Sequence, residues 1–167
     1  MPDIAYKDLK TLELLRLYAD MMDELLIRGV VRTMDNPVAG YAEYLACKVL
    51  SLRLEPISRK GFDATGVNGD KFEIKSRRIV SYGTPNRFSA IRDIEGHHFD
   101  YLIAIIFESD FRVKLAMQLP YDLVLKKAKL QGHTNAWILP VRESSWNDTS
   151  AIDLTSKFAD TIEKESS

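Results

Sequence analysis

Cysteine is nearly missing from this chain of 167 residues, where Cys47 stands alone. A lone thiol excludes an internal disulfide, and without a CxxC pair no thiolate zinc site is expected. Histidine is almost as scarce: three in all, with His97 and His98 adjacent and no second ligand cluster beside them. Long apolar runs are lacking too. The longest, Tyr101 to Phe107, falls far short of the roughly 20 residues that a spanning helix needs. Residues Met1 to Lys7 show no basic stretch leading into an apolar core, so no secretory signal is expected and a cytoplasmic, soluble protein is. There is no P-loop, no Rossmann glycine fingerprint and no nucleophile elbow. Glycines (eight) and prolines (six) form no linker, repeat or low-complexity stretch, so the length predicts one domain over 1–167.

A net charge of −1 is a poor start for a nucleic-acid binder, but the charges are unevenly spread. Residues 53–92 carry nine basic and four acidic side chains, whereas the segments on either side are net acidic. Salt confines such interactions to about 8–10 Å, so a focused basic block can bind phosphates within a near-neutral protein. A solvated basic face would show the same composition.

Leu12, Leu15, Ala19, Met22 and Leu26 recur at helical spacing, and Leu14, Leu17, Met21 and Leu25 widen the stripe, predicting a helix over 8–28 stopped by Gly29. So broad an apolar face needs two partners, and a homodimer through this helix is one way to supply them. A second helix is predicted from Asn36-Pro37 to about Leu52, with Asn36 as N-cap. The period then changes to strands at Phe62–Val67 and Lys71–Ile79 around Asn68-Gly69, and a loop follows over 81–97. Tyr101–Phe107, apolar without alternation, predicts a central strand covered on both faces. A half-buried strand over 111–119, a short helix from Pro120, a strand from Ala136 and a C-terminal helix near Phe158 complete the order. One mixed α/β sheet flanked by helices is expected, with a helical part over 1–55, the core sheet over 60–142 and a tail over 143–167.

The informative stretch runs from Gly61 to Lys75. Along the second strand Phe72 and Ile74 point one way, while Glu73, Lys75 and Arg77 point the other. If Asp63 faces the same side, two carboxylates and an ammonium converge. At about 5 Å and an effective dielectric near 20, two carboxylates repel by roughly 3 kcal/mol. A divalent cation, a shared proton or the lysine must offset that. Register decides the matter. A two-residue Asn68-Gly69 turn would put Asp63 opposite Ile74, on the wrong face. An odd loop of three residues, or a bulge, would bring Asp63 to the face of Glu73 and Lys75.

Asp63 followed by Glu73-Ile74-Lys75 on the next strand resembles the D…(D/E)XK signature of the PD-(D/E)XK, restriction-endonuclease-like nucleases. That superfamily often adds a glutamate on the helix before the core hairpin, and Glu43 occupies that place at the margin of a buried stripe. Phe62 stands where the family often has proline. The resemblance implies a restriction-endonuclease-like fold and phosphodiester hydrolysis, most readily of DNA. It implies Asp63, Glu73, Lys75 and Glu43 as catalytic residues, with Mg²⁺ (or Mn²⁺) held by Asp63, Glu73 and Glu43. Lys71, Arg77 and Arg87 are expected phosphate contacts, and Arg78, on the opposite face, a structural residue. A nuclease-like module that binds nucleic acid or assembles without cutting it carries the same residues, and so does an ordinary charged hairpin. His97 and His98 read as solvated or hydrogen-bonded side chains, and Cys47 as small core filling.

Overall fold

The computed structural model describes residues 5–57, 61–80, 87–132, 136–140 and 146–166. Two helices come first, α1 (Thr11–Ile27) and α2 (Pro37–Leu50). Both begin as their sequences require. The Lys10 N–H donates to the Glu13 carboxylate at 2.7 Å, and the Asn36 side chain accepts from the Val38 N–H at 3.1 Å with Pro37 behind it. Gly29, at φ 68°, turns the chain out of α1 where a side chain would be strained.

Strands β1 (Arg53–Leu54), β2 (Ala64–Thr65) and β3 (Lys71–Arg78) form an antiparallel edge. Then come β4 (Tyr101–Phe107), parallel to β3, and β5 (Val113–Pro120), antiparallel to β4. Helix α3 (Tyr121–Lys127) leads into a separate small hairpin, β6 (Lys129–Gln131) with β7 (Ala136–Ile138). The chain returns to the main sheet as β8 (Ile152–Asp153) and closes on α4 (Thr155–Ser166). Among the described residues this is a six-stranded mixed sheet in the order β1-β2-β3-β4-β5-β8 with four helices, two of them N-terminal. No helix among them is long and apolar enough to cross a membrane.

The sheet is covered on both faces. Ile103, Ile105 and Phe107 of β4 meet Leu45 and Ala46 of α2 and Phe158 of α4, all essentially buried. Leu102, Ala104 and Ile106 meet the opposite layer, built from Phe88, Ile91, Phe99, Leu123 and Trp146. That two-sided burial is why β4 shows no polar alternation.

Three expectations change. The last strand expected from Ala136 pairs with β6 outside the main sheet, and its final residue, Val141, lies outside the described residues. The main sheet reaches beyond 60–142 at both ends, through β1 and β8, and the segment expected as a tail packs Phe158 into the core. Both added strands have two residues, too few to display any period. The loop expected over 81–97 lies outside the described residues at 81–86, and its remainder bridges at Arg87 and Ile91 to the region of β7.

Candidate active site

The hairpin decides whether the acidic residues can meet. Ala64 pairs with Phe72 and Thr65 with Lys71, so five residues, Gly66 to Asp70, form the loop. The loop is longer than the expected three, but it is odd, and parity is what matters. Gly69 at φ 88° donates to the Gly66 carbonyl, and Gly66 donates to Asp70, closing the turn. The strand pairing ends at Ala64–Phe72, but just beyond it Asp63 lines one cleft with Glu73 and Lys75, close enough for its charge to act on Glu73.

Asp63 sits where β2 parts from β3. Its N–H still donates to the Phe72 carbonyl at 2.8 Å, but the next ladder position is taken by its own side chain: Oδ2 accepts from the Ile74 N–H at 2.7 Å. The carboxylate therefore stands in for a strand carbonyl at the sheet edge. From there it borders two clefts, one of about 590 Å³ with Glu73, Lys75, Arg92 and His98, the other of about 450 Å³ with Glu43, Lys75, Ser76 and Arg77. Asp63 and Lys75 line both.

The Lys75 ammonium lies 2.6 Å from Glu73 Oε1, and the two side chains keep only 15% and 13% of their exposure. Burial pushes the Glu73 carboxyl above its ordinary range. Lys75 opposes that shift, while the charge of Asp63 adds to it. Glu43 is raised for the same first reason, burial. Its hydrogen bond from Arg32 opposes the shift and Asp63 again reinforces it. The Glu43 carboxylate is thus not turned to bulk solvent. Arg32 Nη2 holds it at 2.5 Å while Nη1 of the same guanidinium donates to the Glu55 carbonyl at 2.7 Å. Arg32 was not foreseen from sequence; the only hint is an arginine among the apolar residues of the link between two helices.

Among the described residues, no group of three or more histidine, cysteine or acidic side chains is gathered closely enough to hold a metal ion. The expected set of Asp63, Glu73 and Glu43 therefore does not converge on one point, because Arg32 draws Glu43 into its own ion pair. Asp63 and Glu73 remain as a pair of oxygen donors. An all-oxygen pair suits Mg²⁺ or Mn²⁺, which bind through one or two carboxylates plus waters and substrate phosphate.

The expected phosphate contacts divide. Lys71, exposed at the start of β3, holds its ammonium 5.5 Å from the centre of the Phe62 ring at the rim of the first cleft. Arg77 is partly committed elsewhere: its Nε and Nη2 donate to the Arg87 carbonyl at 3.0 and 2.8 Å, tying the segment that begins at Arg87 to β3. Arg87 itself is exposed and bridges Pro140. Arg78 donates to the Ser109 carbonyl and lies 4.5 Å over Phe111, a structural role as expected. Burial raises the Cys47 thiol to about 11, which leaves it no nucleophile at neutral pH. His97 stacks on Tyr121 with ring centres 3.7 Å apart, and His98 pairs with Asp93 at 2.7 Å. No protein-family model matches the chain, and no curated protein matches it.

Proposed function

We propose that the protein is a Mg²⁺-dependent nuclease of the restriction-endonuclease-like kind that hydrolyses phosphodiester bonds, with DNA as substrate. The observation that carries this reading is that Asp63, Glu73 and Lys75 line one cleft together, with Asp63 and Lys75 bordering a second. Asp63 and Glu73 would hold the ion, and their mutual repulsion together with the burial of Glu73 gives a cation a reason to bind there. When bound, the cation supplies Lewis-acid polarisation of the phosphate and a lowered pKa for the attacking water. Lys75, held by Glu73, donates hydrogen bonds to that water or to the phosphoryl oxygens as charge develops on them. The Arg32–Glu43 pair fixes the helix side of the second cleft and tunes the charge around Lys75. Lys71 and Arg87 offer exposed cations for the flanking backbone.

The test is incubation of purified protein with supercoiled plasmid and with single-stranded DNA, in Mg²⁺, in Mn²⁺ and in EDTA. Cleavage that appears with either metal and vanishes in EDTA supports the reading. DNA retention without cleavage in any metal supports instead a nucleic-acid-binding module and overturns the enzyme.

A further inference from the structure

Across the first cleft from Glu73 and Lys75 stands a histidine–carboxylate pair that the metal-site reading does not use. His98 Nε2 bonds Asp93 Oδ2 at 2.7 Å, and both residues line the cleft beside Asp63. The loop between them is shaped for this contact. Asp93 and His97, which flank the short 3₁₀ turn Ile94–Gly96, both take left-handed backbone angles, φ 48° and 47°, that side chains rarely adopt. Two glycines leave the imidazole its room. A Cβ on Gly96 would lie 2.4 Å from His98 Nε2 and 2.8 Å from Asp93 Oδ2, and one on Gly61 would lie 2.6 Å from His98 Cβ. The loop is also anchored. Ile94 and Phe99 are buried, and the Tyr121 hydroxyl donates to the Ile94 carbonyl at 2.9 Å. Strained backbone, two glycine seats and a rigid mount converge on one half-buried ring.

We infer that His98 is a second catalytic residue of this cleft, a general acid that protonates the leaving oxygen, with Asp93 as its positioning residue. The inference rests on the nuclease reading above. The Asp93 carboxylate accepts the Nε2 proton, which leaves Nδ1 as the nitrogen free to give a proton to substrate. As the water oxygen bonds to phosphorus, the bond from phosphorus to the leaving oxygen breaks. The electron pair stays on that oxygen, which takes the Nδ1 proton; the proton lost by the water passes to solvent, and solvent reprotonates Nδ1. The charged groups around the ring are Asp93 at its far nitrogen and Asp63, Glu73, Lys75 and Arg92 along the same cleft. In this arrangement Lys75 acts on the bond that forms and His98 on the bond that breaks.

The test compares two forms of an oligonucleotide that the wild type cuts: the natural one, and one with a bridging sulfur as the leaving atom at the cleaved bond. A thiolate leaves without protonation, so it needs no general acid. His98→Gln is expected to slow cleavage of the natural bond about 100-fold and to come within a few-fold of wild type on the sulfur bond. Asp93→Asn should show the same pattern with a smaller loss. Gly96→Ala, which crowds the His98–Asp93 pair and leaves Asp63 and Glu73 in place, should also slow the oxygen bond more than the sulfur bond. Equal slowing of both substrates by His98→Gln, or no slowing of either, overturns the inference while cleavage by the wild type leaves the nuclease reading standing. Failure of the wild type to cut any DNA with any metal overturns the nuclease reading and the inference with it.

Discussion

At the scale of single residues, position on the hairpin separates the roles. Asp63→Asn keeps an oxygen that can accept from the Ile74 N–H, so the sheet edge should survive. It removes a charge that adds to the effect of burial in raising Glu43 and Glu73, and the variant is predicted to melt no earlier than wild type in EDTA while losing cleavage by about 10³-fold or more, on the order expected for a lost metal ligand. Early melting of this variant would show that the carboxylate is structural. Glu43→Gln should lose less activity, about 10-fold, because Glu43 is engaged by Arg32 and acts on the site through charge. Its pH signature is separate. A carboxyl raised on folding opposes folding at neutral pH, and the opposition fades as pH falls through the raised value towards the ordinary 4.5. In EDTA the wild type should therefore gain melting temperature, relative to Glu43→Gln, as pH falls from 8 towards 5, and parallel curves for the two proteins would contradict the assignment. Much of this site was legible in sequence, because a strand's two-residue period separates Glu73 and Lys75 from Phe72 and Ile74 without any tertiary knowledge. Arg32 and the Asp93–His98 pair were not, since each depends on a link or loop conformation that no periodicity announces.

At the scale of elements, the helices and the hairpin show where local rules suffice. The cap of α2 follows from Asn36-Pro37, and β4 from seven apolar residues in a row. The hairpin is harder. Asn68-Gly69 taken alone favours a two-residue turn, yet the chain builds five residues around Gly69, because only an odd loop keeps both Ala64 and Phe72 in the core. Burial overrode turn preference there. Helix α1 is the opposite case: Met22 is its one buried residue, and Leu12, Leu15, Tyr18, Met21 and Ile27 stay exposed. Its first half carries Glu13 and Arg16 and its second half Asp20, Asp23 and Glu24, with Arg28 at the end paired to Glu24. A second copy laid antiparallel against it would match the apolar stripes. A dimer is accordingly predicted by sedimentation equilibrium. Leu15→Glu should shift it to monomer without unfolding, since Leu15 is exposed in the single chain. A monomer at every concentration tested would refute the dimer and leave the site untouched.

At the scale of the whole molecule, a near-neutral protein concentrates its positive charge between residues 53 and 92, and the structure carries Lys71, Lys75, Arg77, Arg87 and Arg92 of that block on or beside β3 and the clefts. Binding to DNA should then weaken steeply with salt, and Lys71→Ala or Arg87→Ala should lower the slope of log affinity against log salt by about one each. Among the described residues β3 has no strand partner on its β2 side after Phe72, and it is there that Asp63 borders both clefts. The proposed nuclease chemistry turns on Lys75, which among the described residues is the one cation that borders both clefts and contacts Glu73. The most direct measurement is the single-turnover cleavage rate of Lys75→Ala against wild type on the same DNA at saturating Mg²⁺. The account predicts a fall of at least about 100-fold with the variant still folded; cleavage at the wild-type rate would contradict it.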